Sequence, residues 1–205
     1  MKTGARFVRA WALVIVAGGA FGCATTHFKS TWRDPAAQPI TLRGQKVAAF
    51  MLSQNESMRR SGEDILAREL TARGVHGIAG YQLTGGQPIQ DSEVLRRKLA
   101  EAGLDGAVII RVVDRRQEVN YIPGGPYYGS MYGYWDYGWA MAARPGYMET
   151  DTIVSVETLV YALRQDKLLW GGVSETIDPR NLDSFIKDVV KAAGDEMKKA
   201  GLLRA

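Results

Sequence analysis

The 205-residue chain offers few side chains that can make or break bonds. It carries one cysteine, Cys23, and two histidines, His27 and His76. Activating a nucleophile needs a base that is histidine in most schemes, and only His76 falls within the regularly patterned part of the chain. It lies in a Gly-Val-His-Gly turn after an expected helix, where a capping or surface role accounts for it. His27 sits in a polar stretch with no second ligand nearby and reads as solvated. Hydrolysis by acid and base needs two carboxylates; the nearby pairs are Glu149/Asp151 and Asp114/Glu118, both at the polar ends of expected strands, where such pairs are common without chemistry. Thr84-Gly-Gly-Gln has the glycines of a phosphate loop but lacks its lysine and following helix, so it reads as a turn. One cysteine and two histidines are too few for a Cys/His zinc site. The expectation is a protein without catalytic residues, bound metal or cofactor.

Cys23 has a different chemistry. Lys2, Arg6 and Arg9 precede a 13-residue apolar run, residues 10–22, that ends in small residues. This is the order of a secretory signal, and the run is shorter than the roughly 20 residues a membrane span needs. Ala20-Phe21-Gly22-Cys23 resembles a bacterial lipobox, with Gly22 as the small residue before the cysteine. That resemblance implies that residues 1–22 are removed and that Cys23 becomes the acylated N-terminus. Each buried lipid methylene contributes about 0.8 kcal/mol, so several acyl chains hold a domain on a membrane. Ala24 and Thr25 follow the cysteine, where the enterobacterial lipoprotein-sorting rule reads aspartate as inner-membrane retention. The expected location is therefore the outer membrane, facing the periplasm. Loss of the signal takes three basic and no acidic residues, leaving 23 Lys+Arg (26 − 3) against 22 Asp+Glu. A net charge of +1 gives no electrostatic case for nucleic acid.

The distinctive segment is 121–150, YIPGGPYYGSMYGYWDYGWAMAARPGYMET. It holds seven of the nine tyrosines, two of the five tryptophans and six glycines. Glycine frees the backbone while Tyr and Trp supply large amphipathic faces, which suits recognition or a membrane interface. Tyr127, Tyr128, Tyr132, Tyr134, Trp135, Tyr137 and Trp139 are the expected binding surface. The competing reading is an insert that folds back and covers the sheet with its rings.

The elements that must position these residues follow from periodicity. Residues 23–45 are polar and contain prolines, and read as a lipidated tether. VAAFML at 47–52 is a strand covered on both faces. Ser53 and Glu56 have capping-box spacing ahead of a helix to about Arg73, stopped by Gly74. Met58, Ile65, Leu66 and Leu70 mark its apolar side, and Arg60, Asp64, Arg68 and Thr71 its wet side. A short strand near 78–83, a helix over 92–102 and a buried strand over 107–113 follow. After the aromatic insert come strands over 152–163 and 167–175, joined by a turn at Arg164-Gln-Asp-Lys167. The last helix spans 182–199, with its apolar residues on one broad stripe. The order β-α-β-α-β-(insert)-β-β-α predicts one α/β domain over 46–203, a mixed sheet with helices packed on it.

KVAAFML at 46–52, with ILARELTARG at 65–74 and LAEAGLDGAVII at 99–110, resembles the periplasmic α/β domains of several envelope lipoproteins. These are the curli-secretion type, the activators of penicillin-binding proteins and, outside the lipoproteins, the N-terminal domain of the Tol-system propeller protein. The chain also resembles a group of proteobacterial lipoproteins with Thr-His-Phe soon after the cysteine, a group with no function to transfer. The chain is expected to be a non-enzymatic envelope binding or assembly factor whose partners are the membrane and an envelope protein or the cell wall. Two alternatives stand beside it: a glycan-acting cell-wall enzyme or its accessory, and a structural oligomer of the curli-secretion type.

Overall fold

The computed structural model describes residues 25–87, 89–122, 130–132, 135, 139 and 147–203. Six strands form one mixed sheet: β1 (Thr25–Arg33), β2 (Lys46–Leu52), β3 (His76–Ala79), β4 (Gly106–Ile122), β5 (Tyr147–Ala162) and β6 (Lys167–Ile177). Their order across the sheet is β1-β6-β5-β4-β2-β3. The β4-β2-β3 part is parallel, and the β1-β6-β5-β4 part is antiparallel. Parallel neighbours need crossovers, which here are helices. The expected α/β class with a mixed sheet is the observed one.

The apolar runs of β2 and β4 are explained by burial on both faces. Ala49 and Met51, with Val108 and Ile110, pack against α1 (Glu56–Thr71) and α4 (Leu182–Lys199). The alternate residues Ala48 and Ala107 pack against Leu99 of α3 (Ser92–Glu101). The α4 stripe lands as read: Phe185, Ile186, Val189, Val190, Ala193 and Met197 are all buried. Asn55, Asp91 and Asn181 cap the three long helices, each accepting from a backbone N–H in the first turn. Gly74 and Gly103 take φ of +87° and +63° just past α1 and α3, the left-handed turn that ends a helix cheaply with glycine.

Three readings are corrected in detail. Residues 25–33, placed in the tether, form edge strand β1, which is antiparallel to β6. The short strand is 76–79, because Gly80 starts a five-residue helix, α2 (Gly80–Thr84), in place of its expected second half. In α1 the cap is Asn55 rather than Ser53, and Met58 is exposed while Arg59 and Glu63 are buried. Glu63 accepts from the N–H groups of Tyr81 (2.6 Å) and Met51 (3.4 Å), and Arg59 donates to the Gly86 carbonyl (2.9 Å). Burial raises the Glu63 carboxyl above its ordinary pKa, against the pull of those N–H groups and Arg59. This buried pair fastens α1 to the end of β2 and the start of α2.

The two ends of the sheet are built differently. At one end lie Thr25, Ile177 and Ile153, adjacent through strand pairing. At the other, a strap over 34–45 crosses from β1 to β2. Its Ile40 N–H donates to the Leu202 carbonyl (2.7 Å), and Arg33 donates to the Ala37 carbonyl (2.7 Å) and to the Ala200 carbonyl. Among the described residues no helix is long and apolar enough to cross a membrane.

Candidate functional site

β4 and β5 outrun the rest of the sheet. Ile177 of β6 pairs with Ile153 and Asp178 hydrogen-bonds Thr152; beyond that level five pairs, from Glu118↔Asp151 to Ile122↔Tyr147, have no third strand beside them among the described residues. At about 3.4 Å per residue, this two-stranded ribbon stands ~17 Å clear of the body. Its base is braced on the face opposite α1 and α4 by Arg116, which donates to Glu118 (2.9 Å), Glu175 (2.9 Å) and Asp114 (3.3 Å). The Glu175 carboxyl is held below its usual range, first by the Arg116 hydrogen bond and against its own burial, with Lys29 adding 3.4 Å away.

The ribbon carries the aromatic segment. Tyr132, Trp135 and Trp139 are 84%, 56% and 69% exposed, and the two indole rings meet edge to face at 6.4 Å. Met131, Tyr147, Met148 and Val119 are exposed with them. Thus the described part of the expected surface is exposed. Tyr127, Tyr128, Tyr134, Tyr137 and Cys23 lie outside the described residues. The chain upstream of Thr25 joins the body at the ribbon end, because Thr25 pairs with Ile177.

The candidate catalytic groups are not brought together. His27 lies on edge strand β1, 3.9 Å from Glu175, and His76 starts the opposite edge strand β3. Five strand spacings of about 4.8 Å separate those edges by roughly 24 Å. Asp114 and Glu118 both serve Arg116, and Asp151 accepts from the Asn120 amide (3.0 Å). Among the described residues no group of three His, Cys, Asp or Glu is placed to hold a metal ion. Gly85 and Gly86 form the turn after α2, and the Gly86 carbonyl takes the Arg59 and Arg60 guanidinium groups.

A second feature was not legible in the sequence. Between the sheet and helices α1 and α4, opening at the strap end, is a cavity of about 660 Å³. Its wall is apolar: Val47, Leu66, Val75, Val108, Val160 and Met197 are representative. Protein interiors hold few voids larger than a water molecule, and this space is open to solvent at the strap end. Two wall residues are unusual. Thr158 is 3% exposed and its hydroxyl has no hydrogen-bond partner. Gly194 lies inside α4, where glycine costs about 0.5–1 kcal/mol relative to alanine. A Cβ added there would meet nothing within 4 Å, so no packing inside the protein requires the glycine.

Charge rings the mouth. Lys167 pairs with Asp34 (2.5 Å) and Arg164 with Asp105 (2.7 Å). The Asp34 carboxyl is lowered chiefly by the Lys167 hydrogen bond and then by the Ala36 N–H; that of Asp105 chiefly by the Lys46 N–H, with Arg164 adding. In both pairs the cation is the outer partner: the Lys167 and Arg164 side chains are 49% and 76% exposed, those of Asp34 and Asp105 8% and 26%. The mouth therefore shows solvent its positive ends. Gly194, within an otherwise strong helical stripe, marks the cavity only once the structure places it in the wall.

No protein-family model matches the chain, and no curated protein matches it. Solved structures similar to it include a PelC dodecamer from Paraburkholderia phytofirmans, at 11% identity and TM-score 0.46, covering 89% of this chain and 99% of that one. Lipoprotein GNA1162 from Neisseria meningitidis aligns at 13% identity and TM-score 0.41, over 78% and 99% of the two chains. A minor lipoprotein from Acinetobacter baumannii aligns at 12% identity and TM-score 0.33, over 76% and 93%. Likeness at this level assigns neither an activity nor an assembly.

Proposed function

We propose that the chain is a lipid-anchored envelope protein that works by binding, with its aromatic ribbon resting in the surface of the membrane that holds its lipid. The observation that carries this is the placement of β1. Thr25, two residues after Cys23, already belongs to the sheet, at the end from which the ribbon rises. Two extended residues span at most about 7 Å, whereas the ribbon reaches roughly 17 Å beyond the same edge. An acylated Cys23 therefore fixes the ribbon end at the bilayer, and the ribbon must lie along or enter the headgroup layer. Tyr and Trp are the side chains suited to that layer, with rings in the apolar part and polar atoms in the wet part. Seated this way, the strap end of the domain faces the periplasm and is free to bind. The outer membrane is the expected site, from Ala24 and Thr25 after the cysteine.

The test uses the full chain expressed in a Gram-negative host. Mass spectrometry should find Cys23 acylated, and Cys23→Ser should release the protein from sedimenting membranes or leave it uncleaved. Trp135 and Trp139 should be quenched by brominated phospholipid in reconstituted vesicles, and Tyr132→Ala/Trp135→Ala/Trp139→Ala should remove that quenching while acylation persists. Unmodified Cys23 in the membrane fraction overturns the anchor. Unquenched indoles in the acylated protein overturn the seating of the ribbon.

A further inference from the structure

We propose that the cavity under α1 and α4 binds the acyl chain of an anionic single-chain amphiphile, with the head group at the cationic mouth. This inference does not depend on the seating of the ribbon, which is at the opposite end of the sheet. The volume of about 660 Å³ falls in the range of roughly 300–1,000 Å³ typical of small-molecule sites. The cavity runs from the mouth at Ala162 and Gly106 inward to Thr158 and Ile110, four residues of strand or about 13 Å. The inner walls along this depth are mostly aliphatic around the buried Thr158, while the polar lining residues Gln38, Gln45, Arg73 and Gln165 stand beside the charged pairs. An aliphatic tail gains from every methylene it removes from water there.

Three further observations identify the occupant. Gly194 keeps a stretch of the wall recessed at a cost to helix stability that nothing in the packing repays. At the mouth, the exposed members of the ion pairs are Lys167 and Arg164, whereas Asp34 and Asp105 are turned inward. A carboxylate or phosphate head meets cations there with little displacement of the existing pairs. The strap closes one side of the opening through Ile40 and its hydrogen bond to Leu202, and the occupant proposed for the space left is a single chain. A free fatty acid and a lysophospholipid share the required chemistry.

The experiment uses residues 24–205, which contain every described element, and titrates submicellar palmitate, palmitoyl-lysophosphatidylglycerol, monopalmitoylglycerol and dipalmitoyl-phosphatidylglycerol by calorimetry. Saturable one-to-one binding of palmitate or the lysolipid is expected, and whichever is tighter names the source of the head group. Gly194→Leu should weaken that binding at least tenfold, and Gly194→Ala by less, if the leucine variant is poorly folded. Lys167→Gln/Arg164→Gln should weaken the anionic ligands severalfold and leave monopalmitoylglycerol unchanged. Tyr132→Ala/Trp135→Ala/Trp139→Ala should bind as the parent does, which separates cavity binding from insertion of the ribbon. Absence of saturable binding by both anionic ligands, equal binding by folded Gly194→Leu, or equal binding of the diacyl lipid overturns the proposal.

Discussion

Replacing Gly194 by alanine tests the open wall of the cavity with the smallest change available. In the interior of a helix, alanine is favoured over glycine by about 0.5–1 kcal/mol, because the unfolded glycine chain has more freedom to lose. Ordinarily that gain is reduced or reversed by collision of the new methyl group. Here the added Cβ has no heavy atom within 4 Å, so nothing offsets the propensity term. The methyl group looks into an open space and adds little burial of its own. The expected gain for the ligand-free protein is therefore about 0.5–1 kcal/mol, which for a domain of this size raises Tm by roughly 1–4 °C. Far-UV circular dichroism of residues 24–205 during urea and thermal unfolding measures it, and the urea m value should stay constant, showing that the surface exposed on unfolding is unchanged. A loss of stability of similar size would refute the reasoning. It would mean that the wall at Gly194 is already packed in solution, and the open cavity would disappear with it.

Further outcomes follow from other residues. Thr158→Val keeps the shape and removes a buried hydroxyl that has no partner, so stability should rise by about 1–2 kcal/mol in urea unfolding; a fall would show that the hydroxyl is satisfied in solution. Glu63 has its pKa raised in the folded state, so above about 4.5 the folded protein holds a proton that the unfolded chain has shed. Its contribution to stability therefore falls as pH rises through the window above 4.5. Stability of wild type minus that of Glu63→Gln should decline across this window, and a rising difference would contradict the burial argument. Replacing residues 123–146 by Asn-Gly should leave all the β4–β5 pairs and shorten the connection by about three doublings, worth at most about 2 kcal/mol. Cooperative unfolding should persist with membrane seating lost; an unfolded product would show that those rings belong to a core.

How far the sequence reveals this fold depends on how each element is buried. α4 is fully legible, because one face meets the sheet and the opposite face meets water, so six buried positions recur at helical spacing. The turn at 164–167 is legible from its polar residues, and Asp166 supplies the positive φ it needs. β1 is not legible. It is an edge strand with a helix-free face; Phe28 is its ring in contact with Trp170 (5.3 Å), and a bulge between Phe28 and Ser30 breaks the alternation. Arg59 and Glu63 show the same limit in a helix: an i, i+4 ion pair reads as solvated until α2 and the Gly86 turn close over it. Of the expected aromatic surface, Tyr132, Trp135 and Trp139 are exposed, and the two indole rings meet. The cavity escaped notice because its walls use the same valines and leucines as a filled core. Volume is not written in residue type.

The pairing of β1 with β6 has a bearing on the order of events during export. Thr26 and Thr176 share a hydroxyl hydrogen bond of 2.8 Å across 150 positions of sequence. Contacts of that separation form late, since the loop between them must close before they contribute. In the exported lipoprotein proposed above, a chain emerging N-terminus first would keep Thr25–Arg33 unpaired until β6 had crossed the membrane. Over that interval the proposed acylation of Cys23 would meet no folded structure at β1. Docking of β1 then withdraws the segment into the sheet. On that proposal the fold would set a clock on modification of its own N-terminus, the interval being the time taken to translocate the rest of the domain.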